Sequence, residues 1–223
     1  QTDIMGPKLL KPILRKINRN YINQFDFCWI PDTNQKINLS GTLSSFTNNR
    51  CFKICPLSRF SKHKRKVIPN KYKFTALLSG PEPQRSILES KIVNLFHQLP
   101  SECAIIQGKP LSKNHKEHNI DFFAHLSTDK FLDTINNSEI ILCRSGYSNV
   151  MDFSALGKKV IFIPTPGQTE QEYLANYHSE ISKVKSIRQS EISLEKINSN
   201  TGTVIQPMCD EGLMNLAFEK AML

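Results

Sequence analysis

Hydrophobic and polar positions fall into two regimes along the 223-residue chain. From residue 74 onward, short unbroken apolar runs alternate with stretches of helical spacing. Residues 74–78, 104–107, 120–126, 140–143 and 160–163 are runs of strand length. Such runs are what strands buried on both faces require. Between the first two, residues 84–97 carry an apolar stripe of Ile87, Leu88, Ile92, Val93 and Phe96. Ser127 or Thr128 starts a helix that runs through Ile135. Val150, Phe153, Ala155 and Leu156 mark another helix, closed by Gly157. Residues 169–177 read as helix, 184–187 as an edge strand, 194–197 as a short helix and 211–222 as the closing helix. Residues 112–119 read as a polar loop. Strand and helix in alternation predict an α/β fold, a parallel sheet with helices on both faces.

Before residue 55 the pattern is thinner. Residues 8–22 predict an amphipathic helix whose regular part starts near Pro12. Residues 25–30 form a strand-like run ending at Pro31-Asp32, and a polar stretch with a turn at Ser40-Gly41 continues to Arg50. One helix with one or two strands is the tail of an α/β domain, not a whole one. The expected division is 1–55 for this fragment, 56–73 for a basic linker and 74–223 for the main domain. The start QTDIMGPKLL reads as the interior of a longer chain. A naturally short subunit completed by a partner is the other reading; the linker favours the first.

The segment 140–175 holds the candidate chemistry. An apolar run stops at Arg144-Ser145-Gly146, a helix follows, and a second run ends at Pro164 before a loop and another helix. Parallel sheets place ligands in the crevice outside the carboxyl ends of their strands. Ser145, Gly146 and Ser148 stand at that end, beside a helix N-terminus. Its N–H groups and dipole favour an anion, and glycine lets a phosphate come close. Asp152, further into the helix, can accept both hydroxyls of a sugar diol. It also reads as a solvated helix-surface acid.

RSGYSNVMDFSALGKKVIFIPTPGQTEQEYLAN, residues 144–176, resembles the donor-binding signature of GT-B glycosyltransferases. Within them it is most similar to the bacterial transferases that add N-acetylglucosamine during peptidoglycan synthesis. The resemblance covers most of 53–217. It implies a Rossmann-like domain that holds a UDP-sugar donor and transfers its sugar to an acceptor hydroxyl. By that likeness Ser145 and Gly146 approach the diphosphate, Asp152 holds the ribose, Leu126 lies by the uracil, and Gln171 and Glu172 touch the sugar. LLSGPEPQRS, residues 77–86, matches the first phosphate loop and brings in Gly80. Arg85 either neutralises phosphate or is a plain surface arginine. Glu82 beside a diphosphate would repel it. ICPLSRF, residues 54–60, resembles the interdomain linker. No cofactor is implied, and no residue of this chain stands out as the acceptor's general base, which in this fold usually comes from the N-terminal domain. A nucleotide-sugar epimerase of the same fold and a non-catalytic nucleotide-sugar-binding subunit are the alternatives.

The net charge of +9 suits an anionic partner. Much of it is local: Arg59, Lys62, Lys64, Arg65, Lys66, Lys71 and Lys73 crowd the linker. Aromatic residues are not interleaved there as nucleic acid would need. A solvated linker is one reading and attraction to a membrane surface the other. Apolar runs fall short of the ~20 residues that a spanning helix needs, and the start lacks a signal-peptide pattern. A cytoplasmic protein is the resulting expectation, with a position peripheral to the membrane as the alternative. Six cysteines without a CxxC pair predict reduced, structural thiols. His115 and His118 lack partners at metal-ligand spacing, so no metal is expected.

Overall fold

In a computed structural model, the structure describes residues 3, 10–63, 69–209 and 212–222. Five parallel strands form the centre of one sheet: β3 (Tyr72–Leu77), β4 (Cys103–Ile106), β6 (Ile120–Phe123), β7 (Ser138–Cys143) and β8 (Lys159–Phe162). A short β5 (His115–Glu117) pairs antiparallel with β6 at one edge, and β9 (Lys185–Ser186) pairs parallel with β8 at the other. The strand order is β5-β6-β4-β3-β7-β8-β9. The order reverses at β3, where β4 leaves on one side and β7 on the other, and this opens a crevice at the carboxyl ends.

Alternation along the strands sends neighbouring side chains to opposite faces. Ile140 and Leu142 of β7 join one core with Phe74 and Ala76, covered by Leu88, Ile92 and Phe96 of α2 (Gln84–Phe96). Ile141 and Cys143 join the other. It is covered by Phe131 and Ile135 of α3 (Thr128–Asn136), Val150 and Phe153 of α4 (Tyr147–Leu156), and Ala175 of α5 (Thr169–Ser182). Gly157 ends α4 in the left-handed conformation, φ 58°, with its N–H on Phe153 O. That conformation is easy for glycine and strained for other residues. A short helix, α6 (Leu194–Asn198), completes this part. The closing helix α7 (Gly212–Met222) returns to the N-terminal residues, with Phe218 edge-on to Trp29 (4.7 Å between centroids) and Lys220 over the ring of Phe52 (5.0 Å).

The segment 112–119, expected as a loop, contains β5. Its three residues are exposed and polar, so no apolar pattern announces an edge strand held by backbone pairing and by His115 stacked on Phe122, 4.5 Å between centroids. The thiol expectation is corrected as well: Cys55 and Cys209 form a disulfide, with Cα atoms 5.9 Å apart. They lie 154 residues apart in sequence, and only the return of the chain to the linker brings them together. Cys28, Cys51, Cys103 and Cys143 are free.

The N-terminal residues build αN (Lys11–Ile22), with Pro12 in its first turn, and a separate two-stranded parallel sheet. Its strands are β1 (Cys28–Ile30) and β2 (Cys51–Lys53). Between them, residues 31–44 cross onto α4 and α5. Asp32 is fully buried there and accepts the N–H groups of Thr33 (2.8 Å), Leu39 (3.1 Å) and Ser40 (3.0 Å), with the Ser40 and Ser44 hydroxyls alongside. Tyr147 donates to Pro31 O (2.7 Å), Tyr177 to Asn38 O (2.9 Å), and His178 Nε2 to Leu39 O (2.9 Å). Leu39 and Phe60 belong to the same core as Phe153 and Phe162. The helix αN is different: Ile13, Ile17 and Tyr21, with Leu10 just before it, remain exposed.

Candidate functional site

The crevice is bordered by the loop after β3, by Arg144-Ser145-Gly146 after β7, and by residues 164–168 after β8. Gly146 starts α4 in an extended conformation, and no side chain caps the helix there. A Cβ on Gly146 would meet nothing within 4 Å. The helix N-terminus therefore faces open space, which is where an anion gains most from its N–H groups. Ser145 is fully buried, and its hydroxyl donates to Gln171 O at 2.7 Å. Its side chain thus ties α4 to α5, leaving the backbone as the contact surface at that turn.

Gly80 carries φ 102°, and a Cβ there would lie 3.8 Å from Thr165 Oγ1. The first loop and the loop after β8 meet at that point. The expected repulsion by Glu82 is met locally. Glu82 accepts the Ser86 N–H (3.2 Å) and hydroxyl (3.0 Å) and pairs with Arg85. The Ser86 hydroxyl, with help from Arg85, holds its carboxyl below the usual range. Arg85 is committed in turn: besides Glu82 it reaches Gln107 O (3.2 Å) and Glu89 (3.5 Å). Arg85, read either as a phosphate neutraliser or as a plain surface arginine, is turned to these partners in this structure.

Gln171 and Glu172 close the loop after β8 onto the first turn of α5. Gln171 Oε1 accepts the Thr165 N–H at 2.9 Å while its Nε2 donates to Gln168 Oε1. Glu172 accepts the Gly167 N–H at 3.2 Å. Asp152, further along α4, accepts the Ser58 hydroxyl at 2.7 Å and lies 3.8 Å from Arg59 Nε. Burial raises the Asp152 carboxyl above its usual range, against the pull of Ser58 and Arg59. Arg59 also stacks over Phe60 and Phe131, 4.7 and 4.8 Å from their centroids. Leu126, half-buried, packs against the core to which Phe131 belongs. The structure therefore gathers Gly80, Ser145, Gln171 and Glu172 around the loop after β8. Asp152 is joined to the linker instead.

Three participants were not read from the sequence. Ser58 and Arg59 approach Asp152 only through the fold. Arg144 is 1% exposed and spans the floor of the crevice; a cation directly ending an apolar run was its visible signal. Among the described residues, no group of three or more His, Cys, Asp or Glu could hold a metal ion. No described helix is long and apolar enough to cross a membrane. Of the basic residues expected to form the linker, Lys71 pairs with Asp121 (2.7 Å), and Lys73, already in β3, pairs with Glu139 (2.9 Å), so part of that charge is neutralised. Lys64, Arg65 and Lys66 lie outside the described residues.

Residues 77–221 match the Glycosyltransferase family 28 C-terminal domain. Among curated relatives is the UDP-N-acetylglucosamine--N-acetylmuramyl-(pentapeptide) pyrophosphoryl-undecaprenol N-acetylglucosamine transferase of Pasteurella multocida (strain Pm70). It is 27% identical over 137 residues, which make up 57% of this chain and 38% of the relative. The protein of the same name from Histophilus somni (strain 129Pt) is 28% identical over 133 residues, 54% of this chain and 37% of its own length. Among solved structures, the glycotransferase of kitacinnamycin superposes with a TM-score of 0.57 at 12% identity, over 91% of this chain and 51% of that one. The calicheamicin glycosyltransferase CalG4 gives 0.52 at 12% identity, over 86% and 49%. Likeness at this identity is one of fold, the α/β architecture of GT-B enzymes. The chain spans about two fifths of the length of these curated relatives.

Proposed function

The chain belongs to glycosyltransferase family 28 through its C-terminal domain, and from that premise we propose that it is the donor-binding part of a hexosyltransferase. The donor is a UDP-sugar and the acceptor carries a hydroxyl. The observation that carries the reading is the uncapped N-terminus of α4 at Gly146, open to the crevice, with Asp152 further along the same helix. The diphosphate lies against Ser145, Gly146 and Gly80, the sugar against Gln171 and Glu172, the base by Leu126, and the ribose diol on Asp152. As the sugar leaves, charge grows on the UDP oxygens. N–H groups already fixed at the helix start stabilise it without reorganising. Arg85 contributes only if it releases Glu82.

Residues 74–223 form the donor-binding domain in this reading, and 1–55 belong to the acceptor-side domain, joined by the linker 56–73. The apolar stripe of αN, exposed at Ile13, Ile17 and Tyr21, is covered by the remainder of that domain, on the same chain or on a partner subunit. The acceptor's general base comes from there. The curated relatives' printed name gives them a pyrophosphoryl-undecaprenol acceptor. A lipid-linked acceptor here would place the protein at the cytoplasmic face of a membrane, with the basic linker toward the lipid.

Calorimetry tests the donor assignment. UDP is expected to bind more tightly than ADP. Asp152→Asn is expected to cost UDP about 1–3 kcal/mol, because a charge-assisted hydrogen bond is lost. A 2′,3′-dideoxy analogue should bind wild type poorly and be almost indifferent to that substitution. Equal losses for both ligands would sink the ribose role of Asp152.

A further inference from the structure

Arg144 is the largest of the fully buried side chains. Its Nη1 donates to Ile163 O (3.0 Å) and Pro164 O (3.2 Å), and its Nη2 to Gln84 O (2.9 Å) and Gln189 Oε1 (2.6 Å). Nε has no partner. Every acceptor is neutral, and among the described residues Arg144 makes no ion pair. A buried cation is ordinarily matched by a carboxylate, since an isolated one is strongly disfavoured. The acids of the first loop and of α2 facing this region are already matched elsewhere: Glu82 with Arg85, and Glu89 with Arg85 and with Lys109 at 2.7 Å. Burial lowers the guanidinium to about 10, so it remains cationic at neutral pH.

The contacts of Arg144 have a common geometry. Gln84 O follows the loop of Gly80, Pro164 O opens the loop after β8, and Arg144 itself precedes Ser145-Gly146. All three borders of the crevice are therefore tied to one guanidinium. A second group is left without a partner at the same place: Thr165 Oγ1, buried, on the side facing Gly80.

We propose that Arg144 is a positioning residue whose unmatched charge is completed by the diphosphate of the bound donor. It holds the three loops in one arrangement and keeps the crevice positive from below, without touching the ligand. This rests on the reading that the donor diphosphate occupies the crevice. A purely structural strut would affect all ligands of the site alike, whereas a buried counter-charge favours those carrying phosphate.

The test uses the 223-residue chain with UDP and uridine as probes, measured by calorimetry beside a thermal melt. Arg144→Gln is expected to weaken UDP by about tenfold, the size of one charge–charge interaction through an intermediate dielectric, and to change uridine less than twofold. Arg144→Lys, which keeps the charge, should retain most of the UDP affinity. Should Arg144→Gln fail to fold, Gln189→Glu serves the same end. It places a carboxylate against Nη2, neutralises the cation with little change of shape, and should also weaken UDP about tenfold relative to uridine. A folded Gln189→Glu or Arg144→Gln variant with the wild-type ratio of UDP to uridine affinity overturns the inference. A folded wild type that does not bind UDP overturns the donor reading, and this inference with it.

Discussion

Residues 140–175 and residues 31–44 lie against each other and are held by opposite means. The first is a strand–helix–strand unit whose side chains sort themselves by period: Ile140 and Leu142 to one core, Ile141 and Cys143 to the other. Its stability comes from apolar burial spread over many residues. The second has few apolar residues and no regular structure beyond one 3-10 turn (Gly41–Ser44). It is held by a single buried carboxylate, Asp32, and by polar side chains that α4 and α5 extend to its carbonyls. Distributed burial tolerates small changes, while a polar clasp concentrates its energy in a few groups that become costly when left unpaired. Each region also carries an aspartate for comparison: Asp32 enclosed by donors from its own loop, and Asp152 covered only by the linker.

That contrast can be broken most forcefully at Asp32. Asp32→Ala strands three buried N–H groups, each costing about 1–3 kcal/mol when left unsatisfied, so a loss of at least about 3 kcal/mol of stability is expected in urea unfolding. A loss below about 1 kcal/mol would mean that the clasp is dispensable.

The next effect is one of pH. Burial lowers the His178 imidazole from 6.5 to about 4, so the folded protein holds it neutral while the unfolded chain protonates it near 6.5. Its contribution is complete above that value and is lost as pH falls toward 4. The full span is about 3 kcal/mol by linkage, and about 2 kcal/mol should be gone at pH 5. His178→Gln should flatten this part of the stability profile; an unchanged acid limb would assign it to other groups.

A smaller change is expected at Tyr147→Phe, which removes one bond to Pro31 O and should cost about 1 kcal/mol. The smallest belongs to Asp152→Ala, with unfolding free energy within about 0.5 kcal/mol of wild type. Stability losses of similar size at Asp152 and Asp32 would erase the distinction between a candidate ligand group and a structural one.

The parallel sheet was legible because its signals are local. Each central strand is an apolar run, and each covering helix has its own stripe, so pattern alone located them to within a few residues. The start of α4 directly after Ser145-Gly146, and the place of Asp152 on that helix, were legible for the same reason, since they are set within one strand and one helix. The helix α5 ran further than expected, to Ser182 rather than residue 177, because its last turn carries few apolar residues to mark it. The edge strand β5 left no trace for a related reason: backbone pairing holds it, and exposed side chains need no pattern.

Sequence by itself determined the α/β class, the order of the central elements and the position of the crevice, because apolar periodicity and helix-start chemistry act between near neighbours. Tertiary structure alone decided which groups in that crevice are free to act. It turned Ser145 toward Gln171 O and brought Ser58 onto Asp152. It also joined Cys55 to Cys209 and enclosed Arg144 without an acid among the described residues. Those outcomes depend on contacts between residues far apart in the chain, and no spacing along the sequence encodes which polar group will find its partner and which will be left without one.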